Sequence, residues 1–391
     1  MKPFTTFDQT FKLSTFLMVI GLVYPNPKTN WIRLLLTLVL FAAFLPLGII
    51  ILLDVCRYFK QGDILEIVKH AAVAGPFFLG FAKMVLAYWS KDEWLFLINQ
   101  INDDHANYNT LPEEYKKIVR DGIRKSKLMI RGWCLVLVII LLLYYGGSLL
   151  LTIYSQLFSS NPSKYMIYDI NRPYMEPEAR FESPFYEFIT IYIMCMSVLY
   201  VINYSSYEIF MIPCINHAAT KVLLFCVKIR SAMISRPEDL GRNIAEAVKF
   251  QCAFFNIIRK LDEAFGVYLG FIFLICAFQT CVCLYIISER NNTDVKFIGS
   301  IIGCMEIMFV PCYIGEKLQS LSQQSAIEIY NSAWENVQDP RVRKYVPLMI
   351  ARAQDPVSIK GFSVFTFEMN LFVKTMKSAY SLYTLLKSQK H

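Results

Sequence analysis

Three long runs of this chain contain no charged residue at all. They extend over residues 34–53, 132–158 and 264–288. A helix that crosses the hydrocarbon core of a bilayer needs about 20 consecutive apolar residues, and each run is long enough. With 55% hydrophobic residues and a mean hydropathy of +0.40, the chain carries more apolar surface than an ordinary soluble domain can bury. The sequence therefore predicts a membrane protein built from spanning helices.

Four further segments bring the number of predicted spans to seven. One lies between Glu187 and Glu208, and the other three are apolar segments interrupted by Glu306, by Lys83, and by Glu368 with two lysines. The lengths of these runs predict an all-α membrane protein with seven transmembrane helices in a single domain, residues 1–391. The predicted spans cover about residues 32–53, 71–89, 132–158, 188–208, 264–288, 297–315 and 361–387.

The distribution of lysine and arginine predicts the orientation of the chain. Seven spans put the termini on opposite sides of the membrane, and the N-terminal side holds 26 of the 39 basic residues against 10 on the other side. Because basic residues near span ends are retained in the cytoplasm, we expect the N-terminus inside and the C-terminus outside. Asn291 begins an Asn-Asn-Thr glycosylation sequon in a short segment that this orientation assigns to the outside.

The polar residues form no catalytic or cofactor-binding motif. The sequence has no Gly-rich phosphate loop, no HExxH and no GxSxG nucleophile elbow. Six of the eleven cysteines lie inside apolar runs and the four histidines are scattered, so we expect no metal site. Basic inner loops that face anionic lipid account for the net charge of +8. We therefore predict no enzyme, no cofactor and no nucleic-acid partner.

The last predicted span carries a polar stripe at helical spacing. The stripe consists of Thr366, Asn370, Lys374, Lys377, Ser381, Thr384 and Ser388. A bulky, mostly apolar stripe lies beside it. A helix with one wet face and one apolar face at membrane depth indicates an aqueous path, which several subunits around an axis would have to enclose. The alternative is an interfacial helix whose lysines reach the lipid headgroups.

The last third of the chain resembles the C-terminal signature of insect odorant receptors. The matching residues are Gly315-Glu316, Ser322-Gln323-Gln324-Ser325, Tyr330, Trp334, Pro347-Leu348, Arg352-Ala353-Gln354-Asp355-Pro356 and Lys377-Ser378-Ala379-Tyr380-Ser381. An inside N-terminus also separates the chain from G-protein-coupled receptors, which place it outside. A gustatory-type receptor channel, a seven-span G-protein-coupled receptor and a transporter stay open as alternatives.

The resemblance implies an odorant- or pheromone-sensing subunit of a ligand-gated, non-selective cation channel. Such a subunit forms a heterotetramer with an odorant co-receptor in the plasma membrane of olfactory neuron dendrites, where it responds to a small volatile organic ligand and passes cations. By position, the resemblance implies an intersubunit anchor at residues 316–360 that includes Glu316, Tyr330 and Trp334, and a constriction near Tyr383 and Lys387. Combined with the polar stripe, it gives the expected pore residues Tyr380, Tyr383, Thr384 and Lys387.

A volatile ligand offers mainly shape and dispersion, so its site should be a mostly apolar cavity with few polar groups. The outer halves of spans two, three, four and six are its expected walls. The predicted ligand-binding residues are Ala74, Phe77, Phe78, Tyr144, Gly147, Ser148, Leu151, Tyr192, Met196, Ile301 and Met305. Glu306 is an acid inside a predicted span, and we expect it either to pair with Lys83 or to contact the ligand.

Overall fold

The computed structural model describes residues 3–159, 161–172, 175, 177–289, 295–355 and 357–388. These residues fold almost entirely into helices. The helices are α1 (Phe7–Thr10), α2 (Lys12–Ile20), α3 (Asn30–Gln61), α4 (Ile64–Trp89), α5 (Lys91–Tyr108), α6 (Glu113–Leu141), α7 (Gly147–Phe158), α8 (Phe185–Met233), α9 (Pro237–Glu289), α10 (Val295–Tyr330), α11 (Pro340–Gln354) and α12 (Met369–Ser388). Strands β1 (Lys360–Gly361) and β2 (Phe365–Thr366) form one short antiparallel pair before α12.

Five helical stretches of the described residues are long and apolar enough to cross a membrane. They coincide with the first, second, fourth, fifth and sixth predicted spans. The third predicted span, 132–158, is divided between the end of α6, a π-helical segment at Leu142–Gly146 and the whole of α7. The last predicted span corresponds to α12, whose lysines lower its hydropathy. The seven predicted segments are therefore all helical for most of their length.

The two longest helices extend far beyond any bilayer. Helix α8 has 49 residues and α9 has 53, so at about 1.5 Å per residue each is more than about 70 Å long. The hydrocarbon core is only about 30 Å thick. Their remaining turns pack with α5, α6, α10 and α11 into a second bundle outside the membrane. An aromatic cluster lies where the two bundles meet: Trp94 packs on Phe210 and Tyr207, with ring centroids 4.5 and 4.7 Å apart.

The N-terminal segment is held against α5 by hydrogen bonds from the backbone. The Phe4 N–H donates to Asn109 Oδ1 at 2.7 Å, and the Phe7 N–H donates to Asn102 Oδ1 at 2.6 Å. His105 Nδ1–H donates to the Thr5 carbonyl at 2.7 Å. Asn102 and His105 lie on one face of α5 and Asn109 directly follows its last residue, so that face and the end of the helix position the whole segment.

Helix α12 begins at Met369, not at residue 361 as the apolar pattern predicts. Phe362 and Ser363 have φ values of +49° and +58°, which a right-handed helix cannot contain. They form the turn between β1 and β2, and the Phe362 N–H donates to the Gly266 carbonyl at 3.0 Å. The Met369 N–H donates to Glu316 Oε2 at 2.7 Å. A carboxylate on α10 therefore satisfies an otherwise unpaired donor at the start of α12.

A fully buried ion pair joins α4 to α8. Lys83 Nζ lies 2.8 Å from Glu208 Oε1, and both side chains are completely shielded from solvent. The ammonium also lies 3.2 Å from the centroid of the Tyr204 ring, while the Tyr268 hydroxyl of α9 donates to the same carboxylate. The expectation that Glu306 pairs with Lys83 is therefore wrong. Glu208 is the partner because it lies on the helix that directly faces Lys83.

Removal of the Lys83 charge tests how much the fold depends on this pair. Lys83→Met leaves the Glu208 carboxylate buried without its partner, which costs about 3–5 kcal/mol in comparable pairs. We expect a large loss of thermal stability of the detergent-purified protein. The control is Lys228→Met, because the side chains of the Lys228–Glu246 pair are 32% and 52% exposed and solvent-exposed pairs contribute about 1 kcal/mol or less. Equal losses in the two variants would contradict this account.

Acidification should release the N-terminal segment through His105. Burial, together with the nearby His217, lowers the pKa of His105 to about 4, whereas an unfolded histidine titrates near about 6.5. The folded state therefore binds fewer protons, so the contribution is complete at neutral pH and is lost as pH falls from about 6.5 toward 4. The thermal stability of His105→Asn should fall less between pH 7 and pH 5 than that of the unsubstituted protein. An identical fall would exclude His105 as the titrating group.

Candidate ligand-binding cavity

A cavity of about 230 Å³ lies between α4, α6, α8, α9 and α10, near the outer end of the membrane bundle. Its walls are mainly apolar and aromatic. The apolar wall residues include Ile51, Val73, Pro76, Leu137, Ile140, Leu141, Val201, Phe297 and Ile307. The larger aromatic wall residues are Trp133, Tyr145, Tyr200 and Tyr204. Such a surface suits a small, mostly apolar molecule held by contact area.

Local irregularities in two helices shape the walls of the cavity. Tyr145 lies within the π-helical segment Leu142–Gly146, whose wider turn departs from the regular α-helix, and it lines the cavity. In α4, Pro76 lies inside the helix and lines the cavity. The Tyr200 hydroxyl donates to the Pro76 carbonyl. Gly80 makes this approach feasible, because a Cβ on it would lie 2.2 Å from the Tyr200 ring.

The outer end of the cavity is covered by a loop. Ile167, Tyr168, Asp169 and Ile170 all contribute to the wall. The Met166 carbonyl accepts hydrogen bonds from Ser148 Oγ at 3.2 Å and from Lys296 Nζ at 2.8 Å. The loop is thereby tied to α7 and α10.

A second set of hydrogen bonds ties the same loop to α3. The backbone N–H of Asn171 donates to Asp54 Oδ2 at 3.0 Å, and its side-chain amide donates to Asp54 Oδ1 at 3.0 Å and to the Tyr58 hydroxyl at 2.8 Å. His70 Nε2 lies 3.4 Å from Asp54 Oδ2. All these polar side chains are buried, so water competes little for the contacts that hold the loop over the outer end of the cavity.

Most polar groups of the cavity wall already have partners within the protein. Lys69 pairs with Glu66, and His70 Nδ1–H donates to the Glu66 carbonyl at 2.8 Å. Gln279 Nε2 donates to the Ala72 carbonyl at 2.6 Å. Glu306 also lines the cavity and is half-buried, and it forms no ion pair or hydrogen bond with the described residues. The site therefore has an apolar body with a few fixed polar groups.

None of the residues predicted for ligand binding is among the described residues that line this cavity. The predicted helices are correct, but the cavity lies on the neighbouring residues. Val73, Pro76, Tyr145, Ser197, Ser300 and Cys304 line the cavity, where the predictions are Ala74, Phe77, Tyr144, Met196, Ile301 and Met305. Hydropathy identifies a spanning helix without fixing its rotation, because a step of one residue turns the helix by about 100°.

The structure locates the predicted residues in other surroundings. Phe78 is 63% exposed on the outer surface of the bundle, and Leu151 and Met305 are exposed as well. Phe77 packs against the rings of Phe44 and Phe81, with centroids 5.7 and 4.7 Å away. The remaining predictions are divided as follows: Ala74 and Tyr192 pack in an apolar cluster with α3, Ser148 contacts the covering loop, and Gly147, Met196 and Ile301 are half-buried. The side chain of Tyr144 lies outside the described part of the chain.

The predicted pore residues lie on the outward side of α12. Thr375 and Ala379 are the buried positions of this helix, which packs on α9 and α10. Tyr380, Thr384 and Lys387 are exposed, and Tyr383 is half-buried. The two tyrosine rings have centroids 5.7 Å apart. The exposed side also includes Lys374 and Lys377, so it is the polar stripe of the sequence that faces away from the protomer.

The three predicted subunit-interface residues have different surroundings. Glu316 binds the first N–H group of α12 within the protomer. Tyr330 is 66% exposed beside a groove that Ile327, Ile350 and Ala353 also line. Trp334 is half-buried and packs against the main apolar core. Asn291, the predicted glycosylation site, lies outside the described residues.

Among the described residues, no group of three or more histidine, cysteine, aspartate or glutamate side chains is placed to hold a metal ion. The fold and the cavity together define a class of protein: a helical membrane protein with a mainly apolar cavity inside its bundle. Comparison with known families identifies that class further. The 7tm Odorant receptor family matches residues 63–380. The chain belongs to the insect odorant receptor family, and it is accordingly a receptor and not an enzyme.

Individual relatives agree with the family assignment. The chain is 32% identical to Odorant receptor Or2 of Anopheles gambiae over 117 residues, which cover 29% of this chain and 31% of that one. It is 20% identical to Odorant receptor 85c of Drosophila melanogaster over 373 residues, covering 90% of this chain and 88% of the relative. The aligned region thus spans about a third of the length of Or2 and most of 85c.

The fold matches a solved insect receptor. The structure of the insect olfactory receptor OR5 from Machilis hrabei in complex with eugenol superposes with a TM-score of 0.80 at 13% identity, covering 97% of this chain and 100% of that one. A second structure of the same receptor superposes with a TM-score of 0.75 at 14% identity, covering 97% of this chain and 99% of that one. This likeness confirms the predicted all-α fold of an insect odorant receptor, and the 7tm family match agrees with the seven predicted spans.

The orientation of Phe78 and Tyr145 gives opposite expectations for two aromatic-to-alanine substitutions. Tyr145→Ala removes buried contact area from the cavity wall and should weaken binding of a cavity ligand by about tenfold or more. Phe78→Ala should change binding by less than about twofold, because the ring points away from the cavity. Ligand-induced thermal stabilisation of the purified protein measures both, using the first compound of an odorant panel that stabilises the unsubstituted protein. A larger effect of Phe78→Ala would place the site elsewhere.

Proposed function

We propose that this protein is the odorant- or pheromone-sensing subunit of a ligand-gated, non-selective cation channel. It forms a heterotetramer with odorant co-receptor subunits in the plasma membrane of olfactory neuron dendrites. The observation that carries the proposal is the mainly apolar cavity in the bundle of an odorant receptor fold. One of its wall helices, α10, also packs against α12, the helix that carries the polar stripe. A small volatile organic molecule is the ligand, since the related receptor OR5 has been solved in complex with eugenol.

Helix α10 connects the cavity to α12. One face of this helix, from Phe297 to Ile307, contributes to the cavity wall. Two residues further along, Phe309 packs edge to face on Phe372 of α12, with centroids 5.7 Å apart. Glu316 on the same helix binds the Met369 N–H. A ligand that changes the position of α10 would therefore also move the start of α12. Such a displacement of packed helices is a common way to gate a site at a distance.

The outward side of α12 is the proposed pore lining, with Tyr380, Tyr383, Thr384 and Lys387 as its candidate residues. Four such helices around an axis would form an aqueous path for cations. Tyr330 is exposed beside a groove of the second bundle, the one outside the membrane. Its position supports the proposal that residues 316–360 form the contact between subunits. Large aromatic side chains are enriched in such interfaces.

The family assignment decides among the alternatives that the sequence leaves open. It favours the odorant receptors over a gustatory-type receptor channel, a G-protein-coupled receptor and a transporter. The exposed lysines of α12 also bear on the composition of the tetramer. Four copies of Lys374 and Lys377 around one axis would repel the cations that pass, so a pore shared with co-receptor subunits suits this chain better than a homotetramer.

Co-expression with an insect odorant co-receptor tests the proposal. Cells with both subunits should give odour-evoked cation currents, and cells with this subunit alone should give little or none because of the lysine ring. Lys374→Gln with Lys377→Gln should increase any current of the subunit alone, while cells with the co-receptor alone provide the background. Surface labelling checks that every form reaches the membrane. Robust current from the unsubstituted subunit alone would refute the lysine argument, and no current in any combination would refute the channel.

A further inference from the structure

Glu306 is an ionisable residue at the centre of a spanning helix. It is the middle residue of the predicted span 297–315, and it lies in the part of α10 that lines the cavity. Lipid cannot stabilise a carboxylate at that depth, so an ionisable residue inside a membrane commonly marks a functional site. Such a residue needs a partner, which either the protein or a ligand has to supply.

The protein supplies no cation to this carboxylate among the described residues. Lys83, the partner that the sequence suggests, lies 2.8 Å from Glu208 Oε1 instead. The charge of Glu208 does act on Glu306, but it has the same sign. One lysine therefore serves two carboxylates in this part of the bundle, and Glu306 is the carboxylate that is left without it.

The side chain of Glu306 lies over a gap in the surface of α10. A helical side chain leans toward the N-terminus of its helix, over the residues three and four positions earlier. Three positions before Glu306 is Gly303, which also lines the cavity, and a Cβ atom on Gly303 would lie 3.3 Å from Ile140 in the facing wall helix α6. Glu306 is half-buried, and its oxygens are not among the unpaired polar atoms that are fully shielded. The carboxylate therefore keeps surface that a molecule in the cavity can reach.

The lysines of the cavity wall lie at its other end. Lys296 is ten residues before Glu306 on the same helix, which places it about 15 Å further out. Its Nζ atom donates to the Met166 carbonyl at 2.8 Å, and Lys69 pairs with Glu66. The inner end of the cavity thus combines an unpaired carboxylate with a mainly apolar wall, which suits a molecule with a cationic head and a hydrocarbon body.

We infer that the cavity selects a small volatile primary amine, which binds as an ammonium ion against the Glu306 carboxylate with its hydrocarbon body along the apolar wall. The pair carries one proton, and an amine holds that proton more strongly than a carboxylate does. An ammonium group only donates hydrogen bonds and an ionised carboxylate only accepts them, so the two are matched in hydrogen bonding as well as in charge. This inference rests on the proposed function and names the ligand class of the same cavity.

Two matched sets of compounds test the requirement for a positive charge. One set is 2-phenylethylamine, 2-phenylethanol and propylbenzene, and the other is hexylamine, 1-hexanol and heptane. They are applied to the full chain co-expressed with the co-receptor and, separately, to the purified full chain in a thermal-stabilisation assay. At least one amine should be about tenfold or more as potent as its alcohol, the size expected for a hydrogen bond between charged groups. Alcohols or hydrocarbons as potent as their amines would overturn the inference, and so would no response to either amine.

Two substitutions of Glu306 separate its charge from its shape. Glu306→Gln keeps the shape and removes the charge, so the amine should lose about tenfold or more in potency, while the alcohol and the hydrocarbon change by less than about twofold. Glu306→Asp keeps the charge on a shorter side chain and should retain part of the preference for the amine. The thermal stability without ligand checks that both variants fold. An unchanged amine-to-alcohol ratio in Glu306→Gln, or a complete loss of that preference in a folded Glu306→Asp, would contradict the assigned role.

The second carboxylate of the wall provides a matched control. Asp169 lines the cavity, is half-buried and forms no ion pair or hydrogen bond with the described residues. It lies on the covering loop at the outer end, whereas Glu306 lies at membrane depth. Asp169→Asn should keep the amine-to-alcohol ratio within about twofold, because it leaves the Glu306 carboxylate in place. A loss of the amine preference in Asp169→Asn but not in Glu306→Gln would overturn the assignment to Glu306.

The ligand class and the proposed function can fail separately. If a broad odorant panel evokes currents but amines have no advantage in either assay, only the ligand class is wrong. If amines stabilise the purified chain through Glu306 but no odorant evokes a current with the co-receptor, the ligand class stands and the channel proposal is wrong. Cells with the co-receptor alone provide the background for every compound.

Discussion

The buried contact between Lys83 and Glu208 is the interaction on which the membrane bundle depends most. Two opposite charges at membrane depth are tolerable only when they neutralise each other and find further hydrogen bonds. Here the Tyr204 carbonyl accepts from the ammonium at 2.6 Å and the Tyr268 hydroxyl donates to the carboxylate. The contact therefore fixes α4, α8 and α9 relative to one another. Tyr204 also belongs to the cavity wall, so the same ionic group that holds the bundle together sets the shape of the ligand site.

Two departures from regular helix geometry lie in the wall of the cavity and help to shape it. Pro76 releases the Ala72 carbonyl, and the π-helical segment Leu142–Gly146 contributes Tyr145 to the wall. Irregular backbone at membrane depth must be satisfied by neighbouring groups, because lipid provides no hydrogen bonds. Gln279 and Tyr200 provide them here. The cavity thus lies where the helices deviate from ideal geometry, as is common for functional sites.

The architecture could be predicted from the sequence because it depends on length and hydropathy alone. A run without charge from 34 to 53 has to be a spanning helix, and the excess of basic residues on one side orients it. The residues of the cavity could not be predicted in the same way. Tyr145 lines it from within a π-helical turn that leaves no signal in hydropathy. The partner of Lys83 likewise depends on which helices are neighbours. From the sequence alone, Glu208 and Glu306 are equally suitable carboxylate partners for this lysine. Only the start of α12 had a readable cue, since Gly361 begins a segment with turn-forming residues.

The composition of the cavity wall bears on affinity and selectivity in different ways. An apolar ligand gains binding free energy from the area it buries, so contact area sets how tightly any volatile of the right size binds. Most polar groups of the wall are already paired within the protein, as Lys69 is with Glu66 and the Tyr200 hydroxyl is with the Pro76 carbonyl. A ligand would have to break such a pair to gain a hydrogen bond from it, and an unpaired buried group costs about 1–3 kcal/mol. The size and shape of the apolar wall therefore carry most of the selectivity of this cavity among uncharged ligands.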